Sequence, residues 1–78
     1  MFSVYVLYSE SFGKYYIGQT QQLEKRLIRH NEGRENFTKK YCPWVLVCSI
    51  PKNSRSDALL LEKKLKNLSR NRLKIFIS

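Results

Sequence analysis

The chain has 78 residues, with 15 Lys and Arg against 6 Asp and Glu, a net charge of +9. That length holds one domain with a thin core and leaves no room for a second. No apolar run approaches the roughly 20 residues of a membrane span, and two cysteines are too few for a disulfide-stapled secreted fold.

Hydrophobic residues make up 42% and charged residues 27% of the chain, the balance of a soluble globular protein. Cys42 and Cys48 are not at metal-finger spacing and are expected as buried, reduced thiols in a cytoplasmic protein. The positive charge draws polyanions, with nucleic acid ahead of anionic membrane as the expected partner. The apolar N-terminus has no basic flank and alternates, so it reads as a strand and not as a signal peptide.

Residues 2–9 (FSVYVLYS) alternate as a strand, with Tyr5 and Leu7 on one face and Val4, Val6 and Tyr8 on the other. Residues 9–14 turn around Gly13, and residues 14–19 (KYYIGQ) form a second strand, close enough for an antiparallel hairpin. A helix runs from about Gln21 to Asn31, with Thr20 as its N-cap and stop signals at Asn31 to Gly33. Residues 34–43 are a basic connection with a helical turn at Asn36 to Lys40. Residues 44–50 (WVLVCSI) read as a continuous buried strand ended by Pro51. Ser54 or Ser56 caps a second long helix, to about Leu68, with Asp57 in its first turn. The tail RNRLKIFIS reads as a short helix or a docked end. The expected fold class is α/β in the α+β sense, one domain over residues 1–78. Its plan is a small, three-stranded, mostly antiparallel sheet flanked by helices, in the order β-β-α-β-α plus a short C-terminal helix.

Polar residues stand close to both apolar stripes. In the first helix Leu23 and Leu27 define the buried face; His30 lies on its edge and Arg26 beside it, four residues away and so on the same face. In the second, Ala58, Leu61, Leu65 and Leu68 form the stripe and Glu62 sits next to it. Tyr16 and Gly18 share a face of the second strand, where the missing side chain lets another group approach. Each has an ordinary explanation, such as an arginine snorkelling over the core edge or an i,i+4 pair between Glu62 and Lys66. Together, two tyrosines, an arginine, a histidine and a carboxylate suit phosphodiester cleavage. In such a set a carboxylate can hold a divalent metal, an arginine can stabilise charge on phosphorus, and a tyrosine or histidine can take a proton from water.

Val4-Tyr5-Val6 and Tyr16-Ile17-Gly18 resemble the signature of the GIY-YIG nuclease superfamily. The tyrosines are eleven residues apart, Arg26 follows Tyr16 by ten, and His30 follows Arg26 by four. "SRSDALLLEKKLK" looks like the helix that carries the family's metal-binding glutamate, here Glu62, and "FTKKYCPWVLV" resembles the third-strand region of small stand-alone bacterial members. Ser3 stands where the first motif has glycine, Gln19 where repair nucleases carry lysine, and Asn67 and Asn71 are near, but not at, the spacing of a late asparagine.

The resemblance implies a divalent-metal-dependent endonuclease with Tyr5, Tyr16, Arg26, His30 and Glu62 as catalytic residues. Glu62 would bind one Mg²⁺ or Mn²⁺, Arg26 would contact the scissile phosphate, and Tyr5 would be the general base, assisted by Tyr16 or His30. With only the core present, binding is expected to run through phosphates, with Arg26, Arg29, Lys39 and Lys40 as nucleic-acid contacts and little base readout. DNA is the expected substrate, with repair-type or structure-selective action and a protein partner as one source of target choice. Two alternatives are an inactive nucleic-acid-binding module on the same fold and an interaction subunit using Leu59, Leu60 and the apolar C-terminus.

Overall fold

A computed structural model describes all residues, 1–78. The alternating N-terminal segment forms β1 (Phe2–Ser9) and the hairpin returns as β2 (Lys14–Thr20), with Gly13 at φ +62° in the turn, where a side chain would be strained. Helix α1 (Leu23–Asn31) follows, then a 3-10 turn (Thr38–Tyr41), β3 (Val45–Lys52), α2 (Arg55–Lys66) and α3 (Arg70–Ile77). The sheet is antiparallel, in the order β2-β1-β3.

The central strand is buried on both faces. Val4 and Val6 meet Ile17, Ala58 and Leu65 of α2, and Leu73 of α3 on one side. On the other, Tyr5, Leu7 and Trp44 pack with Tyr16 and with Leu23 and Leu27 of α1. Burying each aliphatic or aromatic side chain stabilises the fold by about 1.5–3 kcal/mol, so two shallow cores sharing one strand hold a chain of this size together.

Several boundaries differ from the sequence-based expectation. Thr20 does not cap α1: its hydroxyl accepts the Gln22 backbone N–H at 3.1 Å in a local turn, and Gln22 takes the cap position without a side-chain bond. The helix therefore starts later, at Leu23. Of the two serines, Ser54 caps α2 by accepting from the Asp57 N–H at 3.2 Å, and Ser69 caps α3 in the same way. The helical turn of the connection is shifted to Thr38–Tyr41.

The third strand is the largest correction. It is not fully buried, because it lies at the sheet edge, where Val45 and Val47 are exposed. It also continues through Pro51 to Lys52, since an edge strand tolerates a residue without an N–H. Opposite Val6 and Leu7 the register slips: Val6 pairs with Cys48 and Leu7 with Leu46. Val47 is the extra residue of a β-bulge, so Cys48 and Leu46 serve opposite cores although they are two positions apart. Both cysteines are free and half-buried, and burial pushes the Cys48 thiol up, which keeps it protonated.

Candidate active site

The face of the sheet beneath α1 brings three of the expected residues into contact. Tyr5 and Gly18 are cross-strand partners, and Tyr16 stands opposite Leu7 on the same face. A Cβ at Gly18 would meet the Tyr5 hydroxyl at 2.6 Å, so the group that the small residue admits is the neighbouring tyrosine. The Tyr5, Tyr16 and His30 rings form a triangle with centroid separations of 6.3, 5.9 and 5.0 Å.

His30 is not at the edge of a leucine stripe but is the one fully buried residue of α1. It has found partners on both ring nitrogens: Nε2 lies 3.0 Å from the Tyr5 hydroxyl and Nδ1 lies 2.7 Å from Thr38 Oγ1. Burial lowers its pKa, the Arg26 and Arg29 charges lower it further, and Glu35 opposes them. The imidazole is therefore neutral at pH 7, one nitrogen donating and the other accepting. Burial is also the main cause that raises the Tyr5 pKa, with the Tyr16 hydroxyl and the Glu35 and Glu62 carboxylates adding to it and Arg26 opposing. Tyr5 therefore keeps its proton at neutral pH, which weighs against a free tyrosinate as the base.

Arg26 of α1 and Glu62 of α2 make no hydrogen bond to the Tyr5–His30–Thr38 line; their charges influence the Tyr5 hydroxyl, that of Glu62 the least. Arg26 reaches Glu35 at 3.5 Å, while its own Nε is buried without a partner. Glu62 is 15% exposed and its Oε2 accepts from Lys66 Nζ at 2.8 Å, the i,i+4 pair that the spacing allows. Of the other expected nucleic-acid contacts, Arg29 donates to Glu35 at 2.9 Å, whereas Lys39 and Lys40 are exposed on the 3-10 turn. Arg26 also lines a polar cleft of about 310 Å³ with Thr20 and Arg55, and Tyr16 lines a larger one of about 620 Å³ with Phe37 and Lys66.

Two participants were absent from the sequence reading. Glu35 holds Arg26 and Arg29 together, and Thr38 fixes the His30 ring. Both belong to the irregular connection, where no periodicity marks them. Asn31 supports the same junction: its Oδ1 accepts the Trp44 N–H at 2.6 Å and its Nδ2 donates to the Trp44 carbonyl at 3.1 Å. The Trp44 indole N–H donates to the Thr38 carbonyl at 2.9 Å, so the turn carrying Thr38 is pinned. The chain holds no group of three or more His, Cys, Asp and Glu arranged to bind a metal. A single carboxylate nevertheless fits Mg²⁺, which keeps several waters and takes its remaining ligands from substrate phosphates.

His30 is thus held between Tyr5 and Thr38 on the sheet face beneath α1, and the antiparallel hairpin that carries Tyr5 and Tyr16 is the part of the fold in which a nuclease family shows its signature. The family model of the GIY-YIG catalytic domain matches residues 1–74, and the chain belongs to this nuclease family. It is 36% identical over 61 residues to a UPF0213 protein of Staphylococcus saprophyticus, a match that covers 77% of this chain and 74% of the relative. It is also similar to the solution NMR structure of a UPF0213 protein from Bacillus halodurans, with a TM-score of 0.63 and 28% identity, over 99% of this chain and 83% of that one. No helix is long and apolar enough to cross a membrane.

Proposed function

We propose that the protein is an endonuclease that hydrolyses phosphodiester bonds in nucleic acid, DNA foremost, with a divalent metal and little sequence preference. The observation that carries this reading is the buried line from Tyr5 through His30 to Thr38, set beside the charge of Arg26. A neutral His30 has a purpose in such a line. As water attacks phosphorus and the P–O bond to the leaving sugar oxygen breaks, the water's proton passes to the Tyr5 oxygen while the Tyr5 proton passes to His30 Nε2, and the leaving oxygen takes a proton from solvent. The Nδ1–H of the resulting imidazolium donates to Thr38 Oγ1. No standing tyrosinate is required, which accommodates the raised Tyr5 pKa.

Tyr5 is only 1% exposed, so the reacting water reaches its hydroxyl past the more open Tyr16, which lines the 620 Å³ cleft. Arg26 exchanges Glu35 for a phosphate oxygen and stabilises the charge that builds there. Glu62 would hold one Mg²⁺ or Mn²⁺, which when bound would offset charge on a phosphate oxygen. The excess of cations makes binding mostly electrostatic and sequence-tolerant, which suits repair-type or structure-selective action in the cytoplasm, where two free thiols persist.

The test incubates wild type and Glu62→Gln with supercoiled plasmid, branched DNA and single-stranded DNA, in Mg²⁺, Mn²⁺ or chelator. Metal-dependent nicking by wild type, absent from a variant that still binds, is the expected result. Salt-sensitive binding without cleavage of any substrate would replace the nuclease by a binding module. Equal nicking by both proteins would indicate contamination and remove the assignment.

A further inference from the structure

A row of rings leads away from the candidate site. Tyr16 stands 5.9 Å from Phe37 between centroids, Phe37 stands 6.1 Å from Tyr41, and Tyr41 stands 5.3 Å from Phe12 at the hairpin turn. Tyr16 and Tyr41 are half-buried, but Phe37 is 65% exposed and Phe12 52%. Other large apolar residues are exposed too, Phe76 among them, but Phe37 and Phe12 are the exposed ones that stand in a row of rings leading from the candidate site. Cations already cover the neighbouring tyrosines, with Lys14 Nζ 5.0 Å from the Tyr41 centroid and Arg70 Cζ 5.7 Å from that of Tyr15. No cation lies over Phe12 or Phe37.

Charge identifies the occupant. Lys39 and Lys40 follow Phe37 on the 3-10 turn, and Lys14, Lys66 and Arg70 line the 620 Å³ cleft that Phe37 shares with Tyr16. Exposed rings alternating with cations match a nucleic-acid strand whose bases are free of a duplex: the bases stack on the rings and the phosphates meet the lysines. A paired base offers only its edge, because its faces are taken by the stack.

We propose that Phe37, with Phe12 further out, is a stacking platform that seats unpaired nucleotides beside the candidate active site. This inference rests on the nuclease reading above and deepens it by naming the substrate class: single-stranded segments, or duplexes with frayed or flapped ends. Stacking is tolerant of base identity, in keeping with the little sequence preference proposed above.

Fluorescence anisotropy in chelator, where no cleavage occurs, tests the platform with a labelled oligo(dT) and a duplex of the same length. Phe37→Ala weakens oligo(dT) binding by about tenfold, the loss of one base stack, and changes duplex binding by less than about twofold. Phe37→Trp keeps the affinity, and its emission is quenched by oligo(dT) but not by duplex. Circular dichroism checks that both variants are folded. Unchanged oligo(dT) affinity in Phe37→Ala, equal losses on both ligands, or no selective quenching would overturn the platform. Those results with metal-dependent nicking intact would leave the nuclease reading standing; a wild type that binds neither ligand would remove both.

Discussion

The Tyr5 hydroxyl lies over Gly18 so closely that an added methyl there would meet it at 2.6 Å, with the ring carbon that bears it at 2.8 Å. The glycine of the second motif thus acts on the tyrosine of the first, across one antiparallel pair. Gly18→Ala is expected to push the Tyr5 ring off its site, break its bond to His30 and lower stability by about 1–3 kcal/mol, the ordinary cost of overpacking a filled core. Chemical denaturation measures the loss. An unchanged midpoint together with full nicking activity would show that the contact relaxes without consequence.

Acid should act through His30. Its folded pKa is depressed by burial, so between that value and the ordinary 6.5 the unfolded chain binds a proton that the folded one does not. The contribution to stability is complete above about pH 6.5 and declines as pH falls through the lowered value. Activity should follow the same limb, because a protonated imidazole cannot accept from Tyr5. His30→Gln, which retains hydrogen-bonding capacity without titrating in this range, should flatten the stability profile below pH 6.5. Parallel profiles for the two proteins would remove His30 as the source.

Alkali should act through Tyr5, with the opposite sign. Its folded pKa is raised, so the unfolded chain loses a proton first; the contribution to stability is complete below about pH 10 and is lost as pH rises beyond it. Thermal melts of wild type and Tyr5→Phe at pH 8 to 11 are expected to diverge above pH 10, with the variant less sensitive.

Arg26→Ala should impair turnover more than affinity. The other cations still hold the phosphate backbone, whereas the arginine acts where charge develops, so kcat is expected to fall about 10²–10³-fold with Kd within about threefold. A collapse of affinity at unchanged kcat would make Arg26 a binding anchor. Glu35→Gln, which releases Arg26 and Arg29 from their shared partner, should tighten DNA binding at low salt.

Lys66 occupies the carboxylate proposed above as the metal ligand. Its Nζ lies 2.8 Å from Glu62 Oε2, so Lys66→Ala is expected to tighten Mn²⁺ binding severalfold. Titration followed by the free-ion electron paramagnetic resonance signal reads this without any substrate. Identical Mn²⁺ isotherms for the two proteins would show that the ion pair is no barrier.

Much of the fold was open to inspection in the chain. Alternation over Phe2–Ser9, the Gly13 turn and the 3.6-residue spacing of Leu61 and Leu65 are local properties, and each became the expected element. The motif spacing likewise singled out Tyr5, Tyr16 and His30, which the structure brings into one cluster. The third strand was harder to read, because an unbroken apolar run does not distinguish a strand buried on both faces from an edge strand whose bulge turns neighbouring residues toward different cores.

The amino-acid order by itself therefore determined the elements, the β1–β2 hairpin and the apolar faces of β1 and α2, since pleat, helical pitch and a short turn are set within a few residues of backbone. Only the tertiary structure decided the partners: Thr38 on His30, Glu35 on Arg26, and Val47 displaced so that Cys48 and Leu46 part company. Those contacts join residues of a connection without periodicity, or depend on a register slip, and both are settled by how packed elements come to rest against one another.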